Sequence, residues 1–482
     1  MPDRDDARLL ATGVPGLDTV LKGGLPPRGL YFVGGAPGTG KTTLGLQFLL
    51  EGRRLGEETL FISLSQDRRD LERIAKSHDF DLSGIRTEEI SAVGFAQAAE
   101  DRQTVIETAD TELSSAATAL QALVVNSGAQ RVVIDSLFEV RLLAHDPLSY
   151  RRQLLLLREN VARLGATALV LDYIDDTIGD RQLEGLVNGA ILLEQEIPGY
   201  GASIRRLHVG KVRGQPFVEG YHNLTIRKGG LTVFPRVVPK DATDMLTDEV
   251  VVCGIDGLDH MMGGGLALGT TCLVAGHSGT GKSTVCTAYA SAAARAGRTA
   301  AMFLFEERTA IFRRRSQDLG FDLQEMEEAG SLILRHFDPA EMSPGEFMQI
   351  VVETVERNGV QVVAIDSLSG FLGAHPSGTD LIVQLHSLLT YLSRRNVLTF
   401  VTLTHNGLLD DGNQSGVDTS YLADSALLLR NEDMGGDLRR TITVVKKRHG
   451  DHEQSVRELV IGDRNVDVVP SRTGVPPHLA VV

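Results

Sequence analysis

The chain has 482 residues, 42% of them hydrophobic and 23% charged, with 51 glycines and no tryptophan. This ordinary globular composition excludes disorder, collagen and coiled coil for most of the length, and at roughly 100–200 residues per domain it predicts two or three domains. Lys and Arg total 48 against 63 Asp and Glu, a net charge of −15, so the positive field that a general duplex-DNA binder needs is missing.

The N-terminus, MPDRDDARLL, is acidic and has no apolar signal core. Next, LYFVGG (30–35) is a short apolar run ending in glycines, and a helix is predicted from about 41 to 55. TLFISL (59–64), RVVID (131–135) and TALVLD (167–172) read as strands. Between 150 and 165, Leu154, Leu157, Val161 and Leu164 recur at helical spacing. The strands are continuous apolar runs without alternation. Such strands are buried on both faces, hence α/β with a mostly parallel sheet flanked by helices.

The second half repeats the first. GVPGLDTVLKGGL at 13–25 matches GIDGLDHMMGGGL at 254–266, and GGAPGTGKTT at 34–43 matches AGHSGTGKST at 275–284, both at an offset of 241. RVVIDS (131–136) answers VVAIDS (362–367) at 231, and KVR (211–213) answers KKR (446–448) at 235. Four blocks in fixed order predict two equal domains, 1–240 and 241–482, joined within 236–250. The ten extra residues of the first copy are expected in the polar region 96–127 as an extended helical segment. The longest uncharged run, 261–281, contains seven glycines and reads as loop plus strand, with no membrane span. Cys253, Cys272 and Cys286 lie too far apart for a CxxC knuckle and predict buried thiols in a reducing, cytoplasmic compartment.

Both copies carry G-x4-G-K-[ST] between an apolar strand and a helix, the context this phosphate-binding motif requires. In the first, Gly35, Gly38, Thr39, Gly40, Lys41, Thr42 and Thr43 are candidate nucleotide-binding residues. In the second they are Gly276, Ser278, Gly279, Thr280, Gly281, Lys282, Ser283 and Thr284. Glycines let the backbone curl its N–H groups onto phosphate oxygens, and the helix N-terminus adds partial positive charge. Lys41 and Lys282 are expected to reach the β- and γ-phosphates of ATP. Thr42 with Asp135, and Ser283 with Asp366, are expected to hold Mg²⁺, the aspartates ending apolar strands as Walker-B carboxylates do.

The copies diverge after the second strand. FLFEERTA supplies Glu306 and Glu307, candidate catalytic residues, where the offset of 241 lands on Ser65 and Gln66 in the first copy. A nucleophile needs a carboxylate to orient and deprotonate it. Neither Ser nor Gln serves, although Asp67 or Asp172 are alternatives there. The second domain is therefore expected to do the chemistry and the first mainly to bind. Lys211, Arg213, Lys446 and Arg448 are candidate cations for the γ-phosphate.

Tandem phosphate loops, each preceded by G-(V/I)-x-G-L-D and a Gly-rich turn, together with the glutamate pair, two IDS ends and two K-x-R elements, resemble the KaiC family. These are the bacterial circadian-clock ATPases and autokinases, within the RecA-like P-loop NTPases. The resemblance spans roughly 8–470. It implies two RecA-like domains and a homohexameric ring with ATP at subunit interfaces. It also implies K-x-R residues acting on the neighbour's nucleotide, and Ser/Thr autophosphorylation by the second domain as a signalling switch. Counting back from Asp424-Ser-Ala-Leu-Leu-Leu429, Ser420 falls on the family's phosphoserine position and Tyr421 on its phosphothreonine position, with Thr419 adjacent. Ser420, then Thr419, are the candidate acceptors, with Glu306 or Glu307 as base. The family's clock members carry a longer tail that receives KaiA. Only VVPSRTGVPPHLAVV follows the last strand here, so KaiA control is not expected. A KaiB-like protein or a histidine-kinase/response-regulator system is the candidate partner. A RecA-like DNA motor and a nucleotide-dependent scaffold without kinase activity are the competing functions. The acidic balance and the lack of a basic, aromatic-interleaved loop count against nucleic acid.

Overall fold

The computed structural model describes residues 8–90, 108–142, 147–174, 185–199, 201–239, 247–375, 378–404, 422–434 and 437–471. The chain divides into two compact units. One comprises residues up to Ile197 with Ser203–Arg236, the other Pro198–Ala202 and the chain from Val237.

The first unit is built on nine strands: β1 Leu30–Gly35, β2 Thr59–Ser63, β3 Arg86–Glu89, β4 Arg131–Asp135, β5 Thr167–Asp172, β6 Gly189–Glu196, β7 Ile204–Val212, β8 Tyr221–Arg227 and β9 Gly230–Phe234. Their order in the sheet is β3-β2-β4-β5-β1-β6-β7-β8-β9. Pairing is parallel from β3 through to β6 and antiparallel from β6 to β9.

The second unit opens with a two-stranded sheet, β10 Val250–Val251 and β11 Leu266–Ala267. Its main sheet holds β12 Thr271–Gly276, β13 Thr299–Leu304, β14 Leu332–His336, β15 Val360–Asp366, β16 Leu398–Thr404, β17 Ser425–Met434, β18 Asp437–Lys447, β19 Arg457–Gly462 and β20 Asn465–Pro470. Strand order and orientation repeat those of the first unit. Both units are thus RecA-like α/β domains with mostly parallel sheets.

The apolar runs are buried on both faces because successive side chains enter different cores. In β1, Tyr31 and Val33 pack with Leu44 and Phe48 of helix Lys41–Arg54. Leu30 and Phe32 pack instead with Leu120, Leu154 and Leu157 of helices Thr108–Ser127 and Pro147–Arg163. The expectation for 150–165 needs one correction. Leu154, Leu157 and Val161 are buried, but Leu164 is 40% exposed. The helix ends at Arg163 and Gly165 takes φ +71, so periodicity ran one residue past the element. Cys253, Cys272 and Cys286 are buried free thiols in one core, and burial pushes each well above the usual thiol range. Among the described residues no helix is long and apolar enough to cross a membrane.

His222 on β8 ties down the end of the first unit. Nε2–H donates to the Val218 carbonyl at 2.9 Å, and Nδ1 accepts from Arg236 N at 3.0 Å. Burial pushes its pKa down, with Arg236 and His208 adding to the fall and the Val218 bond opposing it. A depressed folded-state pKa means that the unfolded chain protonates first as pH falls. This stability is fully present above the ordinary imidazole value of about 6.5 and lost below it. Between neutral and mildly acid buffers, the wild type is expected to lose more in melting temperature than His222→Gln. Equal losses in calorimetry would show that His222 does not carry the effect.

Candidate nucleotide sites

Each site gathers at the carboxyl ends of the parallel strands, where open α/β sheets bind ligands. β1 runs into the loop that ends at Lys41, and β12 into the loop that ends at Lys282. Gly40 and Gly281 precede the helices at φ 106 and 104, a region open to glycine. A Cβ on Gly40 would also lie 2.6 Å from the Ile226 side chain, and one on Gly281 2.8 Å from Leu459. Among the described residues no side chain caps either helix. The first-turn N–H groups are thus left for an anion.

The loops hold their own shape. Lys41 Nζ donates to the carbonyls of Gly35 and Ala36 at 2.6 and 2.9 Å, and Lys282 Nζ to those of Gly276 and His277 at 2.8 Å each. Thr39 and Thr280 bond Ala36 and His277 carbonyls, each at 2.8 Å. Burial lowers the pKa of both lysines. Asp135 and Asp172 oppose this at Lys41, and Asp366 and Glu306 do so at Lys282.

Thr42 Oγ1 donates to Asp135 Oδ2 at 2.7 Å, placing a hydroxyl and a carboxylate side by side. Burial raises the Asp135 pKa, while Thr42 and Lys41 lower it. A buried acid with adjacent oxygen donors fits a hard divalent cation, which would relieve that burial cost. In the second unit Asp366 accepts from Thr402 Oγ1 at 2.6 Å. Ser283 stands on the helix where Thr42 does in the first.

The two adjacent glutamates have different surroundings. Glu306 accepts from Ser367 Oγ, next to Asp366, and its charge acts on Lys282. Glu307 is held by Arg315, Nη2 at 2.8 Å and Nε at 3.3 Å, in a two-pronged ion pair. At the matching places the first unit has Ser65, Gln66 and, for Arg315, Ile74. The ion pair and both acids are therefore replaced together. Ser65, Gln66 and Ile74 line a cleft of about 740 Å³ with Lys41, Thr42 and Asp135. Of the two alternative acids there, Asp67 caps helix Arg68–Ser77 by accepting from Asp70 N at 2.8 Å. Asp172 is buried at the end of β5, where its charge acts on Lys41.

The K-x-R residues are not brought to their own phosphate loop. Arg213 N bonds the Asn188 carbonyl, whereas Gly35 pairs with Leu193, five residues further along the sheet. Arg448 N bonds the Asp424 carbonyl, whereas Gly276 pairs with Leu429. Five residues of strand are about 16 Å. Lys446 Nζ donates to the Ala423 carbonyl at 2.8 Å, and Arg448 lies 3.4 Å from Asp424 Oδ1. Lys211 pairs with Ala190 near the same end of the first sheet. Two arginines missed in the sequence reach the loops instead, from β7 and β18. Arg205 Nε reaches the Gly38 carbonyl at 3.4 Å, and Arg440 Nε the Gly279 carbonyl at 3.1 Å. Their spacing of 235, the same as that of the K-x-R elements, was the available signal. Thr419, Ser420 and Tyr421 lie outside the described residues.

A family model described as "ATPase: KaiC" matches residues 10–238 and again 251–473. The circadian clock oscillator protein KaiC of Picosynechococcus sp. is 26% identical over 458 residues, covering 94% of this chain and 88% of that protein. KaiC of Rippkaea orientalis is 27% identical over 461 residues, covering 95% and 88%. KaiC of Synechococcus elongatus is 26% identical over 466 residues, covering 96% and 89%. With two matched copies, two RecA-like sheets of one topology and a phosphate loop in each, the chain belongs to the KaiC ATPase family.

Proposed function

We propose that this protein is an Mg-dependent ATPase and serine/threonine autokinase that works as a hexameric signalling switch. In this reading the C-terminal unit does the chemistry, and the N-terminal unit binds ATP and supports assembly. The observation that carries the reading is Glu306, an exposed carboxylate against Ser367 and within the field of Lys282. It is suited to take the proton of a nucleophile. That nucleophile, water or a hydroxyl, forms a bond to the γ-phosphorus as the bond to ADP breaks. Thr42 with Asp135, and Ser283 with Asp366, would hold Mg²⁺, which neutralises charge on the phosphates.

In a ring, the position of the second K-x-R element would favour transfer between subunits. Lys446 and Arg448 grip Ala423 and Asp424, a few residues past Ser420, at the sheet end remote from their own loop. Both the cations and the acceptor segment would then serve a neighbour's nucleotide. Arg205 and Arg440 join Lys41 and Lys282 as cations against each unit's own loop.

Mass spectrometry after incubation with Mg-ATP tests the reading. Phosphate on Ser420 or Thr419 in the wild type, absent in Glu306→Gln, is the expected result. ADP production without phosphopeptide would leave an ATPase that is not a kinase. Neither product, with rings intact, would leave a nucleotide-dependent scaffold.

A further inference from the structure

The two phosphate-binding helices begin alike but have different neighbours. Thr43 and Thr284 each follow the candidate magnesium hydroxyl by one residue. Beside Thr43 stands His78, its Nε2 3.3 Å from Thr43 Oγ1. The offset of 241 puts Leu319 at that place in the second unit. His78 lines the same cleft as Lys41, Thr42, Thr43 and Arg205.

The imidazole's hydrogen positions follow from its partners. Nδ1 lies 3.1 Å from the Arg227 carbonyl. A carbonyl only accepts, so Nδ1 carries the hydrogen. In the neutral ring Nε2 is then a lone pair that accepts from the Thr43 hydroxyl. Among the described residues the charged groups around it are few. Lys41 and Arg205 face the cleft from the phosphate loop and β7, and Asp135 lies at the metal end. The Asp79–Lys228 pair, 2.8 Å apart, and Lys76 sit on the outer side. The Phe80 ring is 5.4 Å away.

In a phosphate loop the lysine serves the β- and γ-phosphates, and N–H groups at the helix start cradle the α- and β-phosphates. A group at the level of Thr43 therefore meets the α-phosphate end. A phosphate oxygen only accepts, so with Nδ1–H kept on the Arg227 carbonyl the ring bonds it by presenting Nε2–H as well, which makes it an imidazolium. Imidazole is the side chain for which gaining a proton near neutrality costs least.

We infer that His78 is a nucleotide-contacting residue peculiar to the first unit, taking up a proton when nucleotide binds and donating Nε2–H to the α-phosphate. The proton comes from solvent and no covalent bond to the nucleotide changes. The inference rests on the ATP-binding reading above. It gives the two units of one chain different nucleotide affinities through a contact that Leu319 cannot make.

Isothermal titration calorimetry of the full chain with ADP tests it, with Lys282→Ala present throughout to silence the second site. Near neutral pH, two buffers of different ionisation enthalpy report protons taken up. The expected result is measurable proton uptake with His78, none with His78→Leu, and binding about tenfold weaker in that variant. His78→Gln, which keeps a polar partner for Thr43 but cannot be protonated, is expected to bind ADP without uptake. Uptake that persists in either variant overturns the inference, as does binding without uptake when His78 is present. Uptake on adenosine overturns the phosphate assignment. Failure of the His78 protein to bind ADP at all overturns the ATP-binding reading of the first unit instead.

Discussion

Glu306→Gln is expected to lower ATP turnover by about 10²–10⁴-fold, the usual contribution of a positioned general base. Glutamine keeps the size and the hydrogen bond to Ser367 but cannot accept the nucleophile's proton. Glu307→Gln is expected to cost less. Its carboxylate is committed to Arg315 on helix Thr309–Asp318, so its loss loosens the segment that carries Glu306 without removing a base. Arg315→Met should therefore resemble Glu307→Gln, since it breaks the same pair from the other side. Steady-state phosphate release from the full-length chain checks the order. Equal losses in Glu306→Gln and Glu307→Gln would sink the distinction. Full turnover in Glu306→Gln would move the chemistry out of the C-terminal unit, with Asp172 of the first unit as the next acid to remove.

The parts of the sites visible in the sequence are those whose chemistry demands contiguous residues. A loop that curls around phosphate needs its glycines at fixed spacing, and a strand-terminal aspartate needs an apolar run before it. The separation of Glu306 from Glu307 was not visible, because identical neighbours after a strand differ only in what faces each. Arg315, eight residues on, decides that, and nothing local marks it. Arg205 and Arg440 were hidden for a related reason. An arginine on an exposed antiparallel strand looks like any solvated charge until the pairing of β6 with β7, and of β17 with β18, sets it against a loop glycine. The same pairings place the K-x-R residues at the opposite sheet end, a fact of register rather than composition. Leu164 shows the limit of periodicity, since the pattern persists where the backbone has already turned at Gly165.

The largest expected loss of stability comes from a residue outside both sites. Arg131 opens β4 with no exposed surface, in a core that holds Phe48 with its ring centre 4.7 Å from the guanidinium. Nε bonds Glu57, and Nη1 donates to the carbonyls of Ala11 at 2.6 Å and Phe48 at 3.1 Å. Nη2 is buried without a partner among the described residues. Glu57→Ala leaves this buried cation without its counter-charge, which costs about 3–5 kcal/mol. In a domain of this size that lowers the first unit's melting temperature by about 10 °C. Removing the cation as well should reverse most of the loss. The second unit shows why: register puts Val362 where Arg131 stands, Val362 pairing with Leu398 as Arg131 pairs with Thr167. An apolar side chain is therefore compatible with this strand position. Arg131→Met alone should cost only about 1–2 kcal/mol, because an incompletely bonded buried charge gives up little when a chain of similar length replaces it. The double variant Glu57→Ala, Arg131→Met should melt within a few degrees of Arg131→Met. Thermal unfolding of the four proteins forms a double-mutant cycle. If the double variant instead loses the sum of the two single costs, Glu57 stabilises the fold by something other than neutralising Arg131.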